Sequence, residues 1–465
     1  MLRYGFVTVA CILFLASPFW ANTSLVALSA VTLALISMLL LRPTFPPVLA
    51  FALGYQWAQV STATLYASWL GLDIDGLYLI ADARTATVYG LLALNTAAIV
   101  VAVMLRHFRL DSTRMVRDMG SLSISWVIRA YVLLVLVSLT LATLTGIGTQ
   151  FSQLVEGITS LRWAAFFLLI CCSLVQRRGS VGAVLALAFE VALGTSGFFA
   201  NFSVPLFFAL MAFAATFHAL ARHQRYLAVA LAIVMLGSGM LWNTVKTEYR
   251  REISGNTNQQ VIVVGVGEQY ATLSRMSQES LTGDLDDAIE KFAMRLAYVE
   301  YFGYVLNRVP AELPFRDGEQ LFTAIEHVLV PRLLNPGKAP LPSDSELTAY
   351  YTANPFLLMR TGTSISLGYV TELYIDFGVF GIPAAGLLLG LLLGAVTLAF
   401  RRYVESPAIG MALTCSVLLS ARLFETSLPK LIGGVLAAFI VAIGAYLLIQ
   451  RWVRAYGRRR LVTAG

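Results

Sequence analysis

Residues 377–400 read FGVFGIPAAGLLLGLLLGAVTLAF and contain no charged side chain. Because a helix of about 17 to 25 apolar residues can cross the hydrocarbon core of a bilayer, this stretch predicts a transmembrane helix. The rest of the chain has the same character, since 58% of its 465 residues are hydrophobic, 13% are charged and the mean hydropathy is +0.75. This composition excludes a soluble domain of this size and is typical of an integral membrane protein.

Eleven further apolar segments bring the number of predicted spans to twelve. The twelve lie near 5–21, 23–41, 46–70, 86–105, 125–147, 161–176, 180–196, 199–221, 226–243, 377–400, 407–421 and 430–450. The first could also be a signal peptide, but SPFWANTS (residues 17–24) is a poor cleavage site and a second span follows at once. We therefore predict an all-α polytopic membrane protein with about twelve transmembrane helices.

The basic residues predict the orientation, because lysine and arginine in short loops stay on the cytoplasmic side. With the N-terminus inside, 17 of the 33 basic residues fall in cytoplasmic segments, including the tail RWVRAYGRRR (451–460). We therefore expect a multi-pass membrane protein with both termini in the cytoplasm. Topology accounts for the net charge of +7, so no nucleic-acid partner is expected.

One polar insertion, residues 244–365, interrupts the series of spans and is predicted to lie in the periplasm. It contains 15 acidic and 11 basic residues, and LDDAIEKFAMRLAYVEYFGYVL (285–306) has apolar residues at helical spacing. Ordered loops of this length usually carry function. We predict four parts: nine spans in 1–243, a mostly helical loop in 244–365, a re-entrant segment with three spans in 366–450, and a basic tail in 451–465.

Two carboxylates follow the insertion in SISLGYVTELYIDFGVFGI (364–382). Glu372 and Asp376 are four residues apart and would share one helix face at the membrane surface. A carboxylate at such a depth is costly and faces a cavity or a partner. We interpret Asp376 as a structural residue that caps or pairs, whereas Glu372 is either functional or paired with a buried arginine. Glu190, in the middle of a span, either lines a cavity or pairs with an arginine of another helix.

This arrangement resembles the Wzy-type oligosaccharide repeat-unit polymerases of bacterial O-antigen and exopolysaccharide synthesis. The resemblance is carried by MRLAYVEYFGYVLNRVPAELPFRDGEQL (294–321), VLVPRLLNPGKAPL (328–341) and TGTSISLGYVTELYIDFGVFG (361–381). It implies a GT-C-like fold and a membrane glycosyltransferase. Such an enzyme moves a growing glycan from undecaprenyl pyrophosphate to a hydroxyl of the next lipid-linked repeat unit, at the periplasmic face.

That reaction needs a base for the acceptor hydroxyl and fixed positive charge for the departing pyrophosphate. The resemblance implies Glu372 as general base, with Arg295 and Arg332 on the pyrophosphate. Closeness to Glu372 adds Arg360. The remaining candidates are Lys338 as a phosphate contact, Tyr374 as a sugar-stacking residue, His327 as a base, and Arg422, which has an Arg-x10-Gly spacing to Gly433. For each arginine, an ordinary surface ion pair is the alternative.

We expect no cofactor and no metal. The acidic run in TGDLDDAIE (282–290) is typical of a helix start, and VVGVGEQ (263–269) lacks the third glycine of a nucleotide-binding loop. The expected partners are the lipid-linked oligosaccharide and the bilayer, and the resemblance adds a chain-length regulator.

Two other functions stay open at this stage. An O-antigen ligase, which hands the glycan to lipid A, would share the topology but would be expected to use a loop histidine such as His327. A polysaccharide or lipid transporter, or flippase, would also have about twelve spans. Many transporters show two related halves, and this sequence shows no such duplication.

Overall fold

A computed structural model describes nine stretches of the chain: residues 2–78, 81–107, 112–144, 152–195, 201–256, 262–281, 283–330, 341–355 and 364–463. Every regular element within these residues is helical, which confirms the predicted all-α class. The α-helices in chain order are α1 Leu2–Ala16, α2 Thr23–Leu40, α3 Pro47–Trp69, α4 Ile74–Leu77, α5 Ala83–Met104, α6 Ser112–Ser121, α7 Ile124–Leu144, α8 Ser152–Gln176, α9 Ser180–Thr195, α10 Ser203–Thr216, α11 Arg222–Ile253, α12 Val266–Leu281, α13 Leu285–Leu296, α14 Glu300–Arg308, α15 Glu319–Leu329, α16 Asp344–Thr352, α17 Tyr369–Phe377, α18 Gly381–Tyr403, α19 Pro407–Leu418 and α20 Leu428–Thr463.

The helices are consistent with a polytopic membrane protein. Among the described residues, eight helical runs are long and apolar enough to span a bilayer, and three shorter apolar helices accompany them. The eight are Leu2–Phe19, Thr23–Leu40, Ala83–Met104, Ile124–Leu141, Gly157–Gln176, Arg222–Ile253, Tyr369–Tyr403 and Leu428–Arg451. The remaining predicted span coincides with α3, which buries polar side chains such as Gln56, Gln59 and Thr64. Each of the twelve predicted segments thus coincides with helix, while the number that crosses the membrane stays a prediction.

The centre of the bundle is formed where α18 packs along α5. Gly386, Gly390 and Gly394 recur every four residues on one face of α18. A Cβ atom at Gly386 would lie 2.3 Å from the carbonyl oxygen of Ala93, and one at Gly394 would lie 2.4 Å from the sulfur of Met104. The backbones therefore approach closely only because glycine lacks a side chain, as is common where helices meet in a membrane.

The polar insertion does not form a separate unit. Phe302 and Val305 of α14 are buried in the same core as the long helices. The N–H of Asp82 donates to the carbonyl of Gly303 at 3.3 Å, so the start of α5 contacts α14 directly. The described part of the loop is helical, as predicted, and it is packed onto the bundle.

The predicted boundary at residue 244 falls inside α11. This helix has 32 residues and continues to Ile253. At 1.5 Å per residue it is about 48 Å long, whereas the hydrocarbon core is about 30 Å thick. A helix of this length that crosses a bilayer must extend beyond it by several turns, and the last turns of α11 carry the first polar residues of the insertion.

Glu190 pairs with an arginine of another helix, which was one of its two predicted roles. Its Oε1 lies 3.5 Å from Nε of Arg162 and accepts a hydrogen bond from the hydroxyl of Tyr131 at 2.9 Å. The Arg162 guanidinium also lies 4.7 Å from the ring of Trp163. This pair connects α7, α8 and α9 inside the bundle.

Candidate functional site

Four basic side chains from three separate parts of the chain form what we call the cationic cluster: Lys246, Arg250, Arg295 and Arg422. Lys246 and Arg250 are four residues apart on α11 and so share one helix face. Arg295 stands in the last turn of α13, and electrostatic interactions link it to both. Arg422 ends the short 3-10 helix that follows α19.

A single glutamate joins three of these cations. Glu425 Oε2 lies 3.4 Å from Nη1 of Arg295, and Glu425 also interacts electrostatically with Lys246 and Arg422. Among the described residues it is the one carboxylate in electrostatic contact with all three. Positive charge therefore exceeds negative charge at this point.

Arg295 keeps its charge despite its surroundings. Desolvation is the largest single influence and disfavours the charged guanidinium, but the attraction and hydrogen bond of Glu425, together with Tyr298 and Tyr55, raise the pKa of Arg295 above its ordinary value. Half of the Arg295 side chain remains exposed, at 50%. The ion pair is thus open to solvent, and a ligand can reach it.

Arg422 is held in one orientation by a hydrogen bond and by a contact with an aromatic ring. Its Nη1 donates to the carbonyl of Leu419 at 3.0 Å, and its guanidinium lies 5.5 Å from the ring of Phe207. Its Nε is buried without a hydrogen-bond partner among the described residues. A buried donor in that state costs about 1–3 kcal/mol.

Two buried glutamines of α3 hold the loop that carries Arg422 and Glu425. Nε2 of Gln56 donates to the carbonyl of Ala421 at 2.8 Å, and Oε1 of Gln59 accepts from the N–H of Phe424 at 2.8 Å. Oε1 of Gln56 accepts in turn from the hydroxyl of Tyr369. These contacts explain why a predicted span carries amides in its interior.

Glycine is required where α17 begins. Gly368 has φ +88°, and a Cβ atom there would lie 2.5 Å from the carbonyl oxygen of Phe424. The next residue, Tyr369, donates its N–H to the carbonyl of Thr426 at 2.8 Å. The start of α17 therefore lies directly against residues 424–426.

Glu372 caps α20, the helix that follows residues 424–426. It is 3% exposed, and its Oε2 accepts a hydrogen bond from the N–H of Leu428 at 2.7 Å. Leu428 is the first residue of α20, so the carboxylate meets the positive end of a helix. A carboxylate held in this way is poorly placed to take a proton from a substrate hydroxyl. The role of Glu372 as a general base therefore stays a prediction.

Asp376 has the structural role expected of it. Its two oxygens accept from the N–H groups of Gln320 and Leu321 at 3.1 and 2.8 Å, at the start of α15. Asp284 similarly accepts from the N–H of Asp286 at 3.0 Å as the N-cap of α13. The acidic run around Asp284 thus serves a helix start.

Tyr374, a predicted site residue, lies away from the cationic cluster. It is 6% exposed and donates its hydroxyl to the carbonyl of Val309 at 3.0 Å. Its ring packs against Tyr89, Phe302 and Phe315, so no open ring face remains for a sugar in this structure, and we do not include it in the site.

His327 lies half-buried in the last turn of α15. Arg332, Lys338 and Arg360 lie outside the described residues.

The structure thus brings together two of the predicted residues, Arg295 and Arg422. Sequence reasoning did not select Lys246, Arg250 or Glu425. The spacing of Lys246 and Arg250 at the end of a span was a usable signal, since it predicts two cations on one face at the membrane surface. Glu425 carries no comparable signal, because its partners are distant in sequence.

Comparison with known proteins gives one match. The sequence model of a family described as a domain of unknown function (DUF8712) matches residues 40–449. No curated protein and no solved structure matches the chain.

Proposed function

The chain belongs to the DUF8712 family, whose function is unknown, and we propose an activity from its resemblance to repeat-unit polymerases and from the charges of the cationic cluster: polymerisation of lipid-linked oligosaccharide repeat units. The donor would be a glycan on undecaprenyl pyrophosphate, and the acceptor a hydroxyl of the next lipid-linked unit. The product would be an O-antigen or exopolysaccharide, and we place the reaction at the periplasmic face of the bacterial inner membrane.

The observation that carries this proposal is the cationic cluster. Three of its four cations interact with one half-buried carboxylate, Glu425, and the four come from α11, α13 and the turn before α20. A pyrophosphate that leaves an anomeric carbon accumulates negative charge, and fixed positive charge stabilises that state. Arginine suits this task because its planar fork binds phosphate oxygens in pairs and stays protonated.

The position of the cluster in the fold supports a lipid-linked substrate. Lys246 and Arg250 stand in the last three turns of a helix whose earlier part is long and apolar enough to span a bilayer. A phosphate bound there would have a lipid tail within reach of the hydrocarbon core. Tyr55 of α3 interacts electrostatically with Arg422, Glu425 and Arg295 and so places a phenol group near the cluster.

The other predicted residues retain their places in the proposal. Arg332, Arg360 and Lys338 would supply additional phosphate contacts from the segments on either side of α16. Glu372 would support the loop of Arg422 and Glu425 through its contact with Leu428, whether or not it also exchanges a proton.

Deletion of the gene tests the proposal. We expect the mutant to retain single lipid-linked repeat units in the periplasmic leaflet and to lose the polysaccharide ladder above one unit. Plasmid-borne wild-type protein should restore the ladder, and Arg295→Ala protein, present at the same level, should not.

The same experiment separates the two alternative functions. Polymer that accumulates on the lipid carrier in the mutant would indicate a ligase. Repeat units confined to the cytoplasmic leaflet would indicate a flippase.

A further inference from the structure

The geometry points to Glu425 as the carboxylate that takes the proton from the acceptor hydroxyl, after the donor pyrophosphate has displaced it from Arg295. This inference rests on the proposed function, since it assigns a catalytic residue to that same site. It gives Glu425 two states: paired with Arg295 in the empty site, and free of that pair when the donor is bound.

The backbone around Glu425 is fixed on both sides. The N–H of Phe424 donates to Oε1 of Gln59, and the carbonyl of Thr426 accepts from the N–H of Tyr369, both at 2.8 Å. The side chain itself is less constrained, because it is 20% exposed and the one ion pair that it makes among the described residues is 3.4 Å long. A carboxylate on a rigid backbone can therefore change partners while its Cα stays in place.

The three buried carboxylates among the described residues have other hydrogen-bond or ion-pair partners. Glu372 accepts from the N–H of Leu428, and Asp376 accepts from two N–H groups of α15. Glu190 is held by Arg162 and Tyr131 within the bundle. Glu425 differs from these three because its partners are the cations that would bind the leaving group.

The displacement follows from charge. A lipid-linked pyrophosphate carries one negative charge on each of its two phosphate groups, and it offers both sets of oxygens to the cationic cluster. Glu425 offers a single negative charge to the same cations, through a partly exposed ion pair that is 3.4 Å long. The donor therefore replaces Glu425 as the partner of Arg295.

The chemical step then balances. The acceptor oxygen forms a bond to the anomeric carbon of the donor, while its proton passes to the carboxylate of Glu425. The bond between the anomeric carbon and the pyrophosphate oxygen breaks, and its electron pair leaves with undecaprenyl pyrophosphate, which the arginines hold. Glu425 loses the proton to water before the next cycle and can pair with Arg295 again once the carrier has left. In the empty site, the ion pair with Arg295 keeps the carboxylate of Glu425 from acting as a base.

The test compares full-length wild-type protein with Glu425→Gln in detergent micelles. Farnesyl pyrophosphate serves as the binding probe, and purified lipid-linked repeat units serve as substrate for polymerisation. Glutamine removes the competing charge and the proton acceptor together. We therefore expect farnesyl pyrophosphate to bind about threefold more tightly or better, while turnover falls by about 10²–10⁴-fold.

The matched control is Glu312→Gln. Glu312 also pairs with an arginine, since its Oε2 lies 2.7 Å from Nε of Arg308, but its side chain is 61% exposed and it lies outside the cationic cluster. We expect binding and turnover of this variant to equal those of the wild type. Glu425→Asp provides a second variant, which keeps a carboxylate and should retain part of the turnover that glutamine loses.

Several results would overturn the inference. Normal polymerisation by Glu425→Gln would remove the base role, and weaker binding of farnesyl pyrophosphate would mean that the ion pair builds the site and does not compete with the donor. Equal loss of turnover in the aspartate and glutamine variants would indicate a structural requirement. If Glu425→Gln bound farnesyl pyrophosphate no more tightly than the wild type, the displacement of Glu425 by the donor would be refuted. Wild-type protein that neither binds farnesyl pyrophosphate nor polymerises would instead refute the proposed function.

Discussion

Glu372 provides the sharpest test of how the site is supported, because capping and base catalysis predict different outcomes for two substitutions. In Glu372→Ala, the N–H of Leu428 would be left unpaired in a site that is 3% exposed. An unsatisfied buried donor costs about 1–3 kcal/mol, and the lost charge at the helix N-terminus costs a further ~0.3–1 kcal/mol. We therefore expect the alanine variant to be destabilised by about 1–4 kcal/mol.

Glu372→Gln should behave differently. The amide oxygen of glutamine can still accept from Leu428, so only the charge is lost and the cost falls to about 1 kcal/mol or less. The assay measures the amount of each variant in the membrane, the midpoint of thermal inactivation in detergent, and the length of the polysaccharide ladder. If capping is the main role, the glutamine variant should be abundant and active, and the alanine variant scarce.

Glu346→Ala is the control for capping in general. Glu346 belongs to an exposed capping box with Ser343 at the start of α16, where water can replace the lost contact. Its loss should change the membrane level little. Abundant Glu372→Gln protein without any ladder would show that Glu372 is the base. Alanine protein as stable as the wild type would refute the reasoning about the cap.

Three other outcomes are expected. Arg295→Lys should lose most polymerisation at a normal protein level, because an ammonium cannot reproduce the paired hydrogen bonds of a guanidinium to phosphate. The control is Arg275→Lys, which should remain active because Arg275 forms exposed ion pairs with two glutamates. Glu190→Gln should lower the amount of folded protein in the membrane, since it leaves a buried arginine uncompensated at a cost of about 3–5 kcal/mol, and a level equal to wild type would argue that the pair is dispensable. In a cysteine-free background, a membrane-impermeant maleimide should label a cysteine at position Glu268 in cells with a permeable outer membrane and spare one at position Arg114; the reverse pattern would invert the predicted topology.

Parts of the site could be found from the sequence because their signals are local. Arg295 lies in a stretch that resembles repeat-unit polymerases, and Arg422 was selected through its spacing to Gly433. The structural role of Asp376 followed from its position beside a glycine break in an apolar run. In each case the relevant information lies within about a dozen residues.

Other parts could not be found in this way. Gln59 and Phe424 are 365 residues apart in sequence, yet their hydrogen bond fixes the loop of Glu425. Tyr374 was predicted to stack on a sugar ring, with a place in the interfacial aromatic belt as the alternative, but its ring is enclosed by three other aromatic rings. Whether an aromatic side chain is exposed or covered depends on elements that pack over it.

The sequence alone determined the all-helical class and the membrane environment, because long apolar runs can enter a bilayer only if each segment satisfies its own backbone hydrogen bonds. It also located the polar insertion, since a change in composition is a local property. Only the tertiary structure decided that Lys246, Arg250, Arg295, Arg422 and Glu425 meet at one point, and that Glu372 faces a helix end. The physical reason is that charge interactions fall off with distance in space and are indifferent to distance along the chain. The partners of a charged side chain are therefore set by how the helices pack.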